Sequence, residues 1–458
     1  MGCDRATTLT TDKGMGMERI EADVAVIGSG VGGMCAAALL AHGGYRTIVL
    51  EGLSFPGGRY SCIDYKGYRI ATGGHMVNHG KDDPIVQTLV EVDAPVIEVK
   101  DFNVPIKYRI AGKDLELEGK GGLKRIVDAA SRNEAETNAV MAAMYTAMRK
   151  QEPSDELSLK DWLHQVTDNT GIHNIFQCQA AAFTGVNAHD FPAGEFVRFL
   201  RTYGRLRGTV VPKGTGRAII EAMGTAIEGK RGQVLTTTRA SEILVQDGVA
   251  KGVIAERKGK KLHIEATVVI SNVGPRKTIE LAGRQNFEEG YLNRVAEDVK
   301  PSAAMDYIIV SDRPLLDSLL FTPEAQRTES WSPTSLFWPE EAPEGKHVIE
   351  GYAAPLSTED YDPREEYEVF LQDLKQEFPM FEECGGRILL ARQFCGDWPV
   401  NRCYQGYDPP QETPITFLYN VGDGVKPSGW VGASGAAMSG RWVAEEVKQR
   451  LRPTNGIR

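Results

Sequence analysis

Asp23-Val-Ala-Val-Ile-Gly28-Ser29-Gly30-Val-Gly-Gly33-Met-Cys-Ala-Ala-Ala-Leu-Leu-Ala-His-Gly-Gly-Tyr-Arg-Thr-Ile-Val-Leu-Glu51 reads as strand, glycine turn, helix and second strand. The first strand is apolar enough to be buried, and the helix is rich in alanine. Gly28 permits a sharp turn off the strand, and Gly30 lets backbone approach a pyrophosphate. Ser29 lies between them and is counted with the ligand contacts. Gly33 lets the helix lie against the sheet, while its N-terminus meets phosphate charge. Glu51 follows Gly28 by 23 residues, about where an acid takes ribose hydroxyls. A glycine triplet alone is weak; with strand, helix and acid in place it indicates an adenine dinucleotide.

Outward from Glu51 comes a second glycine cluster, Gly57-Gly58-Arg59, six residues on. A nicotinamide enzyme has no need of it, but an extended cofactor crossing the sheet does. Its backbone N–H groups would face the diphosphate, and Arg59 would neutralise phosphate or sit near a flavin. Gly73-Gly74-His75 begins another loop, with His79 four residues later. Gly74 joins the ligand contacts, and His75 is a candidate for the reaction centre. Near the far end, Phe417–Val421 reads as a buried strand ending in Gly422-Asp423, followed by a small-residue helix from Gly432-Ala433. Asp423 would hold ribitol hydroxyls or shape its loop. The helix start would present free N–H groups to negative charge developing on a flavin.

Composition bounds the partners. The 458 residues carry 52 Lys and Arg against 62 Asp and Glu, a net charge of −10. That argues against nucleic acid or an anionic membrane as main partner. No apolar run approaches the roughly 18–20 residues of a membrane span; a peripheral membrane contact stays open. Residues 1–19 have no secretory core and read as a disordered leader. The seven scattered cysteines lack paired metal spacing, which suits reduced thiols in a cytoplasmic protein and no metal site. Oligomeric state is not legible.

Between the motifs the chain changes character. Val104–Ile110 reads as a strand leading into helical patterns from about 121 to 205, with the Ala/Met run at 135–149 as core. Arg198, Arg201, Arg205 and Arg207 read as a solvated face. A helix at 217–228 precedes short alternating strands to Ile270, and Ser271-Asn272 ends a buried strand. Residues 276–390 revisit the intervening portion. They include a strand near 307–310 and an aromatic stretch, Trp331, Phe337 and Trp338, suited either to a pocket wall or to a packed loop.

On these residues the chain resembles the flavin-dependent phytoene desaturases, carotenoid isomerases and retinol saturases of the amine-oxidase superfamily. The specific parts are Gly28, Gly30 and Gly33 with Glu51, Gly57-Gly58-Arg59, Val269–Asn272, and the block from Gly422-Asp423 through Gly432-Ala433 to Gly440. The resemblance implies an α/β fold with a discontinuous, Rossmann-like, glutathione-reductase-like FAD-binding domain and an inserted α+β substrate-binding domain. The FAD-binding parts are residues 20–105, 206–275 and 391–450; the substrate-binding parts are 106–205 and 276–390. It also implies non-covalent FAD, with main chain at Ala240 against the adenine and Asn272 at the cofactor. The implied substrate is an apolar small molecule, isoprenoid, alicyclic or steroid-like, whose carbon–carbon double bonds are added, removed or rearranged; the electron acceptor is not legible. Two departures stand out, of which one is the lack of a conspicuous apolar membrane-entry patch, which argues against a long carotene; the other is a missing lysine. Ser302–Val310 offers no lysine where amine oxidases usually hold one near the flavin, although a flavin amine oxidase remains the alternative. Cys403-Tyr404 resembles the pair of covalently flavinylated amine oxidases but lacks the preceding glycine run. A flavin-free binding protein like the Rab GDP-dissociation inhibitors is the further alternative, opposed by the intact glycines and Glu51. Tyr404 joins His75 as a catalytic candidate, with Asp397 and Arg402 weaker.

Overall fold

A computed structural model describes residues 10–12, 17–119, 121–203 and 208–454. The strand Met17–Ile27 forms the middle of the first sheet because Val24, Ala25 and Val26 have no exposed surface and need neighbours on both faces. Thr47–Leu50 and then Gln233–Leu235 lie parallel on one side of it. Lys260–Ser271 lies parallel on the other. That long strand changes partner along its length. Its first half pairs antiparallel with Val249–Arg257, and its end pairs parallel with Leu418–Asn420. The chain therefore returns to this sheet from three distant places. Residues 10–12 and 17–19, expected within a disordered leader, instead pair as antiparallel strands. The physical cause is that Met17–Ile27 runs past its buried core and keeps hydrogen-bonding neighbours, with Glu18–Ile20 in register with Leu262–Ile264.

The helix Val31–His42 is buried along almost its whole length and packs on the last helix, Gly432–Arg450. They touch backbone to backbone. A Cβ on Gly440 would stand 2.2 Å from the Gly32 carbonyl oxygen, and one on Gly32 would stand 2.7 Å from that of Ala436. Small residues in the first and last motifs thus bring the two ends of the chain together.

A second sheet has seven strands in the order Arg387–Phe394, Ala304–Ser311, His347–Ala353, Thr328–Ser332, Leu319–Phe321, Ile106–Ile110, Lys113–Glu116. Arg387–Phe394 continues through residue 391 in this sheet, with Phe394 opposite Ala304, so the return to the first sheet comes later than 391. One face is covered by Pro363–Glu377, where Phe370 stacks on Tyr307 with ring centroids 3.5 Å apart. Helices between Gly122 and Tyr203 form a further layer; Glu134–Arg149 buries Val140, Met144 and Ala147, so one face of the Ala/Met run is core, while Ala135, Ala139 and Ala142 are exposed. Arg198 and Arg201 share Glu152, with Asp155 and Glu195 also on Arg198, in a paired surface cluster. Arg205 and Arg207 lie outside the described residues. Among the described residues no helix is long and apolar enough to cross a membrane, and no cluster of His, Cys, Asp and Glu could hold a metal.

Candidate functional site

One cavity of about 1510 Å³ runs between the two sheets. One arm is walled by backbone. Gly28 takes φ +91° where the first strand ends, and its N–H donates to the Leu50 carbonyl at 2.8 Å. Gly30 caps the following helix without any side-chain partner for the free N–H groups. Gly33 sits behind the wall, where a Cβ would stand 2.5 Å from the Gly28 carbonyl; it sets the approach of helix to strand.

Glu51 lines this arm. One of its oxygens accepts from the Ser29 N–H at 2.9 Å and hydroxyl at 2.5 Å, the other from the Leu53 N–H at 2.8 Å. The oxygen that accepts from Leu53 keeps capacity for a further hydrogen bond. Ser29 itself is fully buried and outside the wall, which corrects its expected role as a ligand contact. Its hydroxyl is spent inside the protein, donating to Glu51 and accepting from the Gly57 N–H at 3.0 Å. Ser29 thus ties the first glycine motif, the acid and the second glycine motif into one unit.

Arg59 and Asp423, candidates from opposite ends of the chain, pair with each other. Arg59 Nη1 and Nη2 donate to the two Asp423 oxygens at 2.5 and 2.9 Å, and Nη1 also reaches the Pro399 and Val400 carbonyls at 2.8 Å. The Arg402 N–H donates to Asp423 at 3.0 Å. Burial acts to raise the Asp423 carboxyl, but the Arg59 guanidinium outweighs it and holds the group well below the usual range. Asp423 therefore shapes its loop. Arg402 also lines this wall; its Nη2 donates to the Asp397 carbonyl at 3.4 Å, and its buried Nε lacks a partner among the described residues. Asn272 is clamped between the motifs, since a Cβ on Gly30 would meet its Nδ2 at 2.4 Å and one on Gly422 its Oδ1 at 2.5 Å. Ala240 lies in the same arm, on a strand whose register slips between Ala240 and Glu242. Gly57, Gly58, Gly74, Gly422, Gly432 and Ala433 also line the cavity. Tyr203 holds the start of the last helix in place: its hydroxyl donates to the Val431 carbonyl at 2.9 Å and accepts from the Val431 N–H at 3.1 Å.

The second arm is walled by side chains: Phe102, Ile106, Phe183, Phe321, Tyr352 and Phe394. Strand alternation turns Ser330 and Ser332 toward it and Trp331 away, into contact with Phe370 and Phe378. Phe337 and Trp338 pack on Val211. The aromatic stretch is a packed segment and walls no part of the cavity. His75 does line it. Its Nδ1 stands 3.4 Å from Glu350, and its buried Nε2 has no partner among the described residues. Burial pushes His75 down to about 4, the nearby Asp306 charge opposing and Arg392 assisting. Tyr404 is a correction: it packs in the helical layer, its hydroxyl 2.6 Å from Thr358, and does not reach the cavity. Adjacent Cys403 is buried in the core of the first sheet. Asp397 and Arg402 both line the cavity.

Sequence reasoning missed Glu350, Asp306 and Arg392. Glu350 lines the cavity, and Arg392 bridges it to Asp306. One signal was readable: Asp306 is the single charge in the otherwise buried strand Ala304–Ser311.

The profile described as "Flavin containing amine oxidoreductase" matches residues 31–448. An uncharacterized protein of Methanocaldococcus jannaschii is 25% identical over 421 residues, 91% of this chain and 96% of its own length. A phytoene desaturase of Cercospora nicotianae is 54% identical over 52 residues, 11% of this chain and 8% of that protein. The solved structure of an oxidoreductase from Methanosarcina mazei has a TM-score of 0.83 at 27% identity, covering 92% of this chain and 99% of its own. With a match across nearly its whole length, this chain belongs to the flavin containing amine oxidoreductase family and is a flavin-dependent oxidoreductase.

Proposed function

We propose that the protein binds FAD non-covalently and acts on carbon–carbon bonds of an apolar substrate, forming, saturating or shifting a double bond. The observation that carries this reading is the continuity of one cavity from a glycine-walled arm to an apolar arm. In the first arm, Glu51 has acceptor capacity for ribose hydroxyls, and Ala240 offers main chain to the adenine. Gly28, Gly30, Gly57 and Gly58 allow backbone to approach a diphosphate, and the Arg402 guanidinium in the wall supplies positive charge. The uncapped helix start at Gly432 and Ala433 points backbone dipoles into the same space. These groups suit a discontinuous Rossmann-like portion holding the cofactor and an inserted α+β portion holding the substrate.

Bound there, the flavin supplies two-electron, hydride-level redox chemistry. The chain's own part is to orient and dry the substrate. Phe102, Phe183, Phe321 and Phe394 exclude water and restrict an apolar molecule, so binding energy goes into alignment. His75 stands in that wall with its Nδ1 3.4 Å from Glu350. Amine oxidation is the second reading, favoured by the Glu350 carboxylate in the wall and opposed by the absence of lysine from Ala304–Ser311.

The test is spectroscopic. Freshly purified protein is expected to be yellow, to release its flavin on denaturation, and to bleach anaerobically with an apolar alkene, terpenoid or cyclic ketone. Peroxide release from a panel of amines, without bleaching by the apolar set, would replace the carbon–carbon reading. Folded protein without flavin would refute both.

A further inference from the structure

We infer that the apolar arm carries a polar subsite, built from Ser330, Glu350 and Tyr352, and that it takes the hydroxyl group of an otherwise apolar alcohol, isoprenoid or alicyclic. This rests on the reading of that arm as the substrate side of a flavin site.

The subsite comes from the register of two antiparallel strands, Thr328–Ser332 and His347–Ala353. Ser330 lies directly opposite Tyr352 and Ser332 opposite Glu350, so the four side chains share one face. Opposite pairs of this kind hold their Cβ atoms about 5 Å apart. All four residues line the cavity. The residues between them take the other face: Trp331 lies opposite Gly351, and its ring stands 2.9 Å from where a Gly351 Cβ would be. Two further strands extend the row. Phe321 lies opposite Ser330 on one side, and Asp306 lies opposite Tyr352 on the other. Ser330 and Tyr352 therefore sit between the aromatic wall and the ion pair of Asp306 with Arg392.

These groups keep hydrogen-bonding capacity toward the cavity. Among the described residues neither the Ser330 nor the Tyr352 hydroxyl has a hydrogen-bond partner, and neither oxygen is sealed away from the cavity. Both residues are partly exposed. The Glu350 side chain is 12% exposed; one carboxylate oxygen stands 3.4 Å from His75 Nδ1 and the other 3.7 Å from Arg392. Both distances exceed those of a well-made N–H···O bond, so acceptor capacity remains. Ser332 differs: its hydroxyl is buried and takes no part.

A hydrocarbon filling the arm would strip water from these groups and pair none of them. A ligand hydroxyl pairs them, its O–H donating to Glu350 and its oxygen accepting from Tyr352 or Ser330. A ketone accepts from the two hydroxyls but gives Glu350 no donor. An ammonium has donors only and offers the two hydroxyls nothing to donate to. The rest of the arm, lined by Phe102, Phe183 and Phe321, holds the apolar remainder. No bond forms or breaks at the subsite. It binds one end of the molecule and so fixes which carbons lie nearest the cofactor arm.

Calorimetric titration of the intact protein tests this. Geraniol, perillyl alcohol and a 3-hydroxysteroid are each compared with the matching hydrocarbon, and the two terpenoid alcohols also with their primary amines. At least one alcohol is expected to bind about tenfold more tightly than its hydrocarbon. Tyr352→Phe and Ser330→Ala are each expected to cut that preference several-fold and to leave the hydrocarbon's affinity where it was. Should Tyr352→Phe fail to fold, Ser330→Ala decides alone. A wild type with no alcohol preference, through equal binding or none, overturns the subsite. So does a preference that survives both substitutions, and so does an amine that binds more tightly than its alcohol. Flavin absorbance of the same samples separates the two claims. Full flavin without alcohol preference refutes the subsite alone; alcohol preference in protein without flavin refutes the cofactor reading alone.

Discussion

Beside Glu51 the cavity wall is mostly backbone, whereas beside Tyr352 it is mostly side chain. The backbone arm includes glycines whose neighbours leave no room for a Cβ: at Gly30, Gly57 and Gly422 the added atom would fall 2.4–2.7 Å from another group. The side-chain arm comes from aromatic and ionisable residues on strands and a helix far apart in sequence. A wall of main chain can recognise a diphosphate but tolerates almost no substitution. A wall of side chains can be re-cut without disturbing the glycine turns of the other arm. On the proposed reading, cofactor choice and substrate choice fall in separate parts of one cavity.

The severest way to break this contrast lies where the motifs from the chain ends meet. Gly440→Val drives a Cβ into the Gly32 carbonyl, and helix separation is expected to cost at least about 3 kcal/mol. Thermal unfolding and soluble yield measure it. Asp423→Asn comes next. It leaves Arg59 without its carboxylate partner beside Arg402, an expected loss of about 2–4 kcal/mol, with flavin retention falling alongside. The sign with pH follows from the depressed Asp423 carboxyl: its stabilisation is complete above the unfolded value of about 4 and is lost as pH falls toward the lower folded value. Acid unfolding of Asp423→Asn should therefore lack the extra slope that wild type shows below about pH 4.

Gly30→Ala should act more locally. Its Cβ meets a side-chain nitrogen of Asn272 rather than backbone, so Asn272→Ala in the same chain should restore part of the lost flavin affinity. A double-mutant cycle on flavin dissociation measures the coupling, expected at about 1 kcal/mol. If the second change restores nothing, Gly30 acts through the ligand and not through Asn272. The smallest effect belongs to Tyr404→Phe. Losing its hydroxyl contact with Thr358 should cost about 1 kcal/mol of stability and leave flavin absorbance and bleaching rate unchanged. A slowed bleaching step would return Tyr404 to the reaction centre.

The contrast between the arms also divides what could be read ahead of the structure. That Gly28, Gly30, Glu51, Gly57 and Gly58 meet in one wall was legible because the arrangement is local: a turn, a close approach and an acid at a set distance follow from covalent geometry over a few residues. Ser29 was misplaced because its hydroxyl could face either the ligand or Glu51, and only the tight turn turns it inward. Tyr404 was misplaced because nearness to a motif in sequence says nothing of which side of a wall a side chain takes. Trp331 shows the same limit, one step of strand alternation separating it from Ser330 and Ser332 in the wall.

Sequence alone determined the cofactor-side turns, the helices that follow them and the acid, because each depends on short-range sterics and spacing. Tertiary structure decided the partnership of Arg59 with Asp423, 364 residues apart, and the meeting of Asp306, Glu350, Arg392 and His75. Those contacts depend on strand order and register, which are set by how whole sheets bury their faces, and no local spacing in the chain encodes them.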